Sequence, residues 1–207
     1  MPAPVLAPPR PLAVADLGRL PESAPFELVH GALVHRTLGT TFSSVEDALD
    51  HLHVYGMAPP SVRHQRLLRD LNRLIETHVA ENGLGETFFA PIGVRFADDT
   101  EVQPDLVFVA ADRMGIVTDD AIEGAPDLVV EVLSPSTRRR DQTDKQALYE
   151  RAGVREYWLV DPKTEAVEIR TLTDAGYQLV SSARGAGAVT SGVLAGFTVS
   201  LADLFAR

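Results

Sequence analysis

Glu131 is the residue in this sequence that most needs a physical explanation. It lies inside Val129-Val130-Glu131-Val132-Leu133, an otherwise unbroken apolar run. Such a run reads as a central strand covered on both faces. A carboxylate there is costly unless a metal ion, a cationic partner or a raised pKa compensates. Residues two apart on a strand share a face, so Asp127, Val129, Glu131 and Leu133 point the same way, with Asp127 at the strand's entry. Asp105 opens a second apolar run, Asp105–Val109, directly after Pro104. If the two strands adjoin, Asp105 and Glu131 converge at one edge, and two converging carboxylates call for a cation. Hard oxygen ligands suit magnesium or manganese better than zinc. Such a metal can activate water and stabilise charge on a phosphate in transfer.

Lys145 completes the constellation. Asp141 and Lys145 are four apart on the helix expected after the Glu131 strand, and they share a face with Leu148 and Tyr149. If that face packs over the sheet, Lys145 reaches the carboxylates and can hold the attacking water or stabilise the pentavalent phosphate. These residues also have ordinary readings. Asp127 fits a turn or strand edge. Asp141 with Lys145 fits a solvated helix pair, which contributes little. Arg138-Arg139-Arg140, between the strand and the helix, is either a solvated run or a set of phosphate contacts.

The elements that must position these residues follow from periodicity. Val14–Leu20 suits a short helical turn, and Phe26–Arg36 a hairpin around His30-Gly31. Ser43–Tyr55 suits a helix, with Ser43 and Glu46 or Ser44 and Asp47 as a capping box. Ser61–Asn82 is the clearest helix, with apolar residues at three- and four-residue spacing and Gly83 as its stop. Glu86–Phe96, Asp105–Val109 and Asp127–Leu133 read as strands, and Arg138–Ala152 as a second helix ended by Gly153. Glu156–Val160, Ala166–Leu172 and Tyr177–Ser182 are further strands, and Gly196–Phe205 gives a last strand and a helical turn. Trp158, the only tryptophan, is expected in the core. The order predicts an α/β or α+β mixed sheet flanked by helices. Strand and helix do not alternate regularly, so neither a TIM barrel nor a Rossmann fold is indicated. No G-x-G-x-x-G or Walker sequence points to a nucleotide cofactor.

Composition sets the outer bounds. The 207 residues carry 19 Lys+Arg against 29 Asp+Glu, a formal charge of −10, and are 45% hydrophobic. That apolar fraction is ordinary for a globular chain. The absence of cysteine excludes disulfides, thiol catalysis and cysteine-held zinc, and fits a reducing cytoplasm. No segment approaches the ~18 apolar residues needed to cross a membrane. Residues 1–13 form a Pro-rich arm before an expected single domain over 14–207. The net charge argues against nucleic acid if it forms a uniform coat. Metal ligands account for part of it, however, and the arginines lie near the same place.

The stretch Pro104–Val109 and the longer run PDLVVEVLSPSTRRRDQTDKQALYERAGVREYWLVDP (Pro126–Pro162) closely resemble the Uma-two endonuclease family, part of the PD-(D/E)xK restriction-endonuclease-like superfamily. The resemblance extends upstream through Phe26–Gly31 and Met57–Ser61 to His64, and downstream to Leu201–Phe205. It implies a restriction-endonuclease-like mixed sheet flanked by helices, and magnesium-dependent hydrolysis of DNA phosphodiesters by a homodimer. By this resemblance Asp105 is the motif aspartate and Glu131 the second acidic metal ligand. The superfamily's lysine is expected two residues after Glu131, where Leu133 stands, and Lys145 matches a helix-borne replacement. Glu27 matches an upstream acidic residue that supports metal or water. His64 and Arg138-Arg139-Arg140 are candidate substrate contacts, with packing or capping the commoner role for such a histidine. Thr37–Gly56 looks like an insertion. The displaced lysine keeps two rival readings open: a non-catalytic binding or assembly module on the same fold, and a hydrolase of another phosphodiester.

Overall fold

The computed structural model describes residues 10–21, 24–36, 38–55, 60–135 and 137–206. Most of the Pro-rich arm, and the Met57–Pro59 part of the upstream segment, lie outside these. The elements begin with α1 (Val14–Leu17), β1 (Phe26–Val29), β2 (Ala32–His35), β3 (Thr41–Phe42), α2 (Val45–Tyr55) and α3 (Val62–Asn82). There follow β4 (Gly85–Phe89), β5 (Val94–Ala97), β6 (Thr100–Val102), β7 (Leu106–Ala110), β8 (Ile122–Glu123) and β9 (Leu128–Val132). A continuous helical segment comes next: α4 (Arg138–Arg140), a π-helical turn (Asp141–Lys145) and α5 (Gln146–Ala152). The chain ends with β10 (Glu156–Asp161), β11 (Ala166–Thr173), β12 (Gly176–Arg184), β13 (Ala188–Thr190), β14 (Thr198–Ser200) and α6 (Leu201–Leu204).

By internal packing the chain divides into two compact units: Met1–Ala58 with Ala97–Val102, and Pro59–Phe96 with Gln103–Arg207. In the first, β3, β2, β1 and β6 lie side by side. The expected hairpin forms, with His30 at φ 48° and Gly31 at φ 75°. Positive φ at both central residues makes a turn whose twist matches that of the strands. Phe26, Leu28 and Leu33 pack with Val45 and Ala48 of α2. Ser44 supplies the cap of α2: its Oγ accepts the Asp47 N–H at 3.1 Å and donates to the Asp47 carboxylate at 2.7 Å.

The second unit is built on a six-stranded sheet in the order β12-β11-β10-β9-β7-β4. β9 and β10 run parallel; the other neighbours run antiparallel. The long α3 covers one face, where Leu71, Ile75, Leu106, Val130 and Trp158 are fully buried in a single apolar cluster. Ser61 caps α3 by accepting the His64 N–H at 3.2 Å, and Gly83 ends it at φ 61°. The helical segment Arg138–Ala152 is the crossover that the parallel β9–β10 pair requires. The expected strand Glu86–Phe96 is instead two strands, β4 and β5. The short β3, β6, β8 and β13 and the 3-10 turn Ala111–Ile116 carry too little periodicity to be read from sequence.

Candidate active site

Asp105 and Glu131 do adjoin. β7 and β9 pair antiparallel with Leu106 opposite Val130 and Val107 opposite Val129. One step further along that register, Asp105 stands across from Glu131. The contact is direct through the backbone: Asp105 Oδ2 accepts the Val132 N–H at 2.8 Å. Alternation on β9 sends Leu128, Val130 and Val132 into the core beneath α3, so Glu131 faces the opposite side of the sheet. The helical segment covers that side.

Glu131 is 4% exposed, and two side chains of the crossover helix compensate it. Lys145 Nζ donates to Glu131 Oε1 at 2.8 Å, and Tyr149 Oη donates to the same oxygen at 2.6 Å. The cationic partner and the raised pKa envisaged as compensations are both present. Burial pushes the Glu131 carboxyl up to about 7, against the downward pull of the Lys145 charge, with Asp141 and Asp105 adding to the rise. Burial also carries the Tyr149 hydroxyl well above its ordinary value, with the Glu131 charge reinforcing the effect, so it stays a donor.

Asp105 is held the other way. Burial raises its pKa, but the His64 ring, the Val132 amide and the Lys145 charge outweigh that and leave it below the ordinary value. His64 Nε2 lies 3.4 Å from Asp105 Oδ1. One carboxyl near neutral titration thus stands beside one that is firmly ionised, an arrangement typical of reactive sites.

The crossover helix brings its groups inward through the π turn. Asp141 and Lys145 are 3% and 6% exposed, not a solvated pair. Burial, the largest cause, raises the Asp141 carboxyl, opposed by the Lys145 charge. The Asp141 carbonyl accepts from Tyr157 Oη at 2.9 Å, and the Tyr149 and Tyr157 rings meet edge-on at 5.2 Å. A π turn widens the helix locally and is frequent at functional sites. Tyr149 and Tyr157 were missed as site residues. The helical spacing from Lys145 to Tyr149 carried the signal, but it did not reveal which polar atom the hydroxyl would reach.

A cleft of about 430 Å³ opens beside this cluster. Ser61, Arg63 and His64 of the α3 start line it with Leu133, Ser134, Pro135, Arg138, Pro162 and Lys163. His64 thus touches both the cleft and Asp105. Arg138 pairs with Asp161 Oδ1 at 2.7 Å. Arg139 is exposed, and its carbonyl accepts from Thr143. Arg140 is half-buried, and burial lowers its pKa.

Asp127 and Glu156 do different work. Asp127 accepts from Arg113 at 2.8 Å, Arg155 at 3.0 Å and the Ala110 N–H at 2.9 Å, fastening three segments at the strand entry. Glu156 accepts from Trp158 Nε1 at 2.7 Å, Ser191 Oγ at 2.6 Å and the Gly192 N–H at 2.7 Å, pinning the 191–194 loop. Glu27 is buried on β1 of the first unit, paired in register with Val34. Among the described residues no group of three or more His, Asp or Glu forms a ready-made metal cage.

The chain matches the solved structure described as a "putative nuclease belonging to DUF820" from Anabaena variabilis, with a TM-score of 0.68 at 18% identity over 95% of this chain and 98% of that one. At that identity the likeness establishes a shared fold. No functionally curated protein matches. Residues 49–202, which span β7, β9 and the crossover helix, match the Uma2 family, described as "Putative restriction endonuclease". The chain belongs to the Uma2 family.

Proposed function

We propose that this protein is a metal-dependent endonuclease that hydrolyses DNA phosphodiester bonds at the Asp105–Glu131–Lys145 cluster. The observation that carries the reading is the 2.8 Å contact of Lys145 Nζ with Glu131 Oε1, made directly beside Asp105. A lysine supplied by the crossover helix stands in for one on the strand, where Leu133 lies. The displaced lysine therefore does not by itself argue for a decayed site.

The donor set fits a hard divalent cation. Two adjoining carboxylates suffice for magnesium or manganese, because magnesium keeps several waters and takes further oxygens from phosphate. Asp105 and Glu131 are the residues that would hold it. When bound, the metal supplies Lewis acidity and a more acidic water. The protein's own contribution is positional. Tyr149 and Lys145 fix Glu131 Oε1, the Val132 amide fixes Asp105 Oδ2, and Lys145 provides positive charge where a phosphate would gain negative charge. His64, at 3.4 Å from Asp105, joins the carboxylates to the cationic cleft. Glu27 is a proposed supporting residue, and Arg138, Arg139 and Arg140 are proposed phosphate contacts. Paired cuts across a duplex call for two copies of the chain, so we read the active form as a homodimer.

A non-catalytic module predicts no metal affinity. Calorimetric titration with manganese separates the readings. Binding in the wild type that is lost in Asp105→Ala supports the nuclease, and no binding in either protein overturns it.

A further inference from the structure

The cleft at the start of α3 has a composition that the hydrolytic cluster does not explain. Its volume, about 430 Å³, is at the small-ligand end of binding pockets and comparable to one nucleotide. One part of its lining is apolar, from Leu133, Pro135 and Pro162; another is cationic, from Arg63, Arg138 and Lys163.

The carboxylates nearby, Asp161 and Glu165, offset only part of that charge. Asp161 accepts from Arg138 at 2.7 Å, from the Lys163 N–H at 2.9 Å and from Thr164 Oγ1 at 2.5 Å. It therefore shapes the Pro162–Lys163 corner and holds the Arg138 guanidinium in place. Glu165 approaches Arg63 at 3.7 Å, with both side chains about half exposed. Such a pair is weak and yields readily to a phosphate. The α3 N-terminus, capped by Ser61, adds its positive dipole end to the same cleft.

We propose that the cleft holds a single unpaired nucleotide of the strand being cut, its phosphate among Arg63, Arg138 and Lys163 and its base against Leu133 and the two prolines. The proposal rests on the nuclease reading and narrows its substrate to strands with an unpaired nucleotide beside the scissile phosphate. A base stacked and paired in a duplex cannot enter a cavity of this size, whereas an unpaired base can. The charge distribution agrees. A chain of net charge −10 with a local cationic rim suits a short strand better than the dense phosphate array of a duplex. Leu133 acquires a role as well: where the superfamily carries its lysine, this chain presents an apolar wall.

The test is an NMR titration of the full chain with the dinucleotide pTpT in EDTA. The His64 ring signals, assigned with His64→Gln, report the cleft. The His64 signals are expected to shift to saturation. Arg63→Glu with Lys163→Glu, both exposed positions where an unchanged circular dichroism spectrum is the control for folding, is expected to weaken binding by about tenfold or more. Per nucleotide, a twelve-residue thymidine strand is expected to compete about tenfold better than a duplex of the same length. Unmoved His64 signals at millimolar pTpT, equal affinity in the charge-reversed protein, or equal competition by duplex would each overturn the proposal. Metal-dependent cleavage persisting alongside such a failure would refute the cleft alone. Binding of pTpT without any cleavage would refute the nuclease reading beneath it.

Discussion

Tyr149 and Lys145 donate to the same oxygen, Glu131 Oε1, at 2.6 and 2.8 Å, from positions one helical turn apart. The Tyr149 hydroxyl is fully buried, and its bond to the carboxylate is charge-assisted whenever Glu131 is ionised. Tyr149→Phe removes one of two donors without changing the ring packing against Tyr157. It is expected to lower stability by about 1–3 kcal/mol above neutral pH. Urea denaturation at pH 8 checks this. An unchanged midpoint would mean that the hydroxyl contributes nothing to holding Glu131.

Lys145→Met keeps the aliphatic length and removes the charge. Glu131 then loses the interaction that most opposes its burial, so its pKa should climb beyond about 7. Cleavage should fall by at least about 100-fold, the scale expected when a charge that stabilises the transition state is lost. Plasmid cleavage rates at fixed manganese provide the measurement. Lys145→Arg should not restore activity, because a planar guanidinium cannot occupy the space of a buried ammonium.

The raised Glu131 pKa makes metal-free stability depend on pH in a defined direction. The group has an ordinary value of 4.5 and a folded value of about 7. Between those values the folded protein keeps a proton that the unfolded chain has released. The contribution is therefore fully present below about 4.5 and lost as pH rises through about 7, by on the order of 3 kcal/mol in total. Asp161, lowered to about 2, acts in the opposite sense at more acidic pH and leaves this window untouched. Denaturation in EDTA at about pH 5 and about pH 7.5 should show wild type losing stability relative to Glu131→Gln. Parallel behaviour of the two proteins would contradict the assignment.

Asp127 offers the contrasting case. Its carboxylate is fully buried yet serves Arg113, Arg155 and the Ala110 amide. Asp127→Ala should cost about 1–3 kcal/mol, since a buried N–H loses its acceptor while the arginines turn to water. Cleavage per folded molecule should be unchanged. Thermal denaturation and an active-fraction correction distinguish this from an effect on the site.

Much of this arrangement was legible because burial leaves a mark in sequence. Glu131 stood out as a charge inside an apolar strand, and Asp105 as the head of a second one. The antiparallel register that sets them opposite each other was not legible, since pairing partners are fixed by the whole sheet. The helix over Arg138–Ala152 could be read from periodicity, but its π turn could not, because shifted backbone hydrogen bonds leave no residue signature. That turn accompanies the burial of Asp141 and Lys145, which sequence alone presents as a common exposed pair. Arg138 was legible as a cation near the site; its tether to Asp161, 23 positions on, is a product of folding.

The most direct test of the central claim is cleavage of plasmid DNA by the purified protein in manganese, run beside Glu131→Ala prepared identically. Nicked and linear product is expected from wild type only, abolished by EDTA. Equal cleavage by the variant, or none by a folded wild type that binds manganese, would contradict that claim.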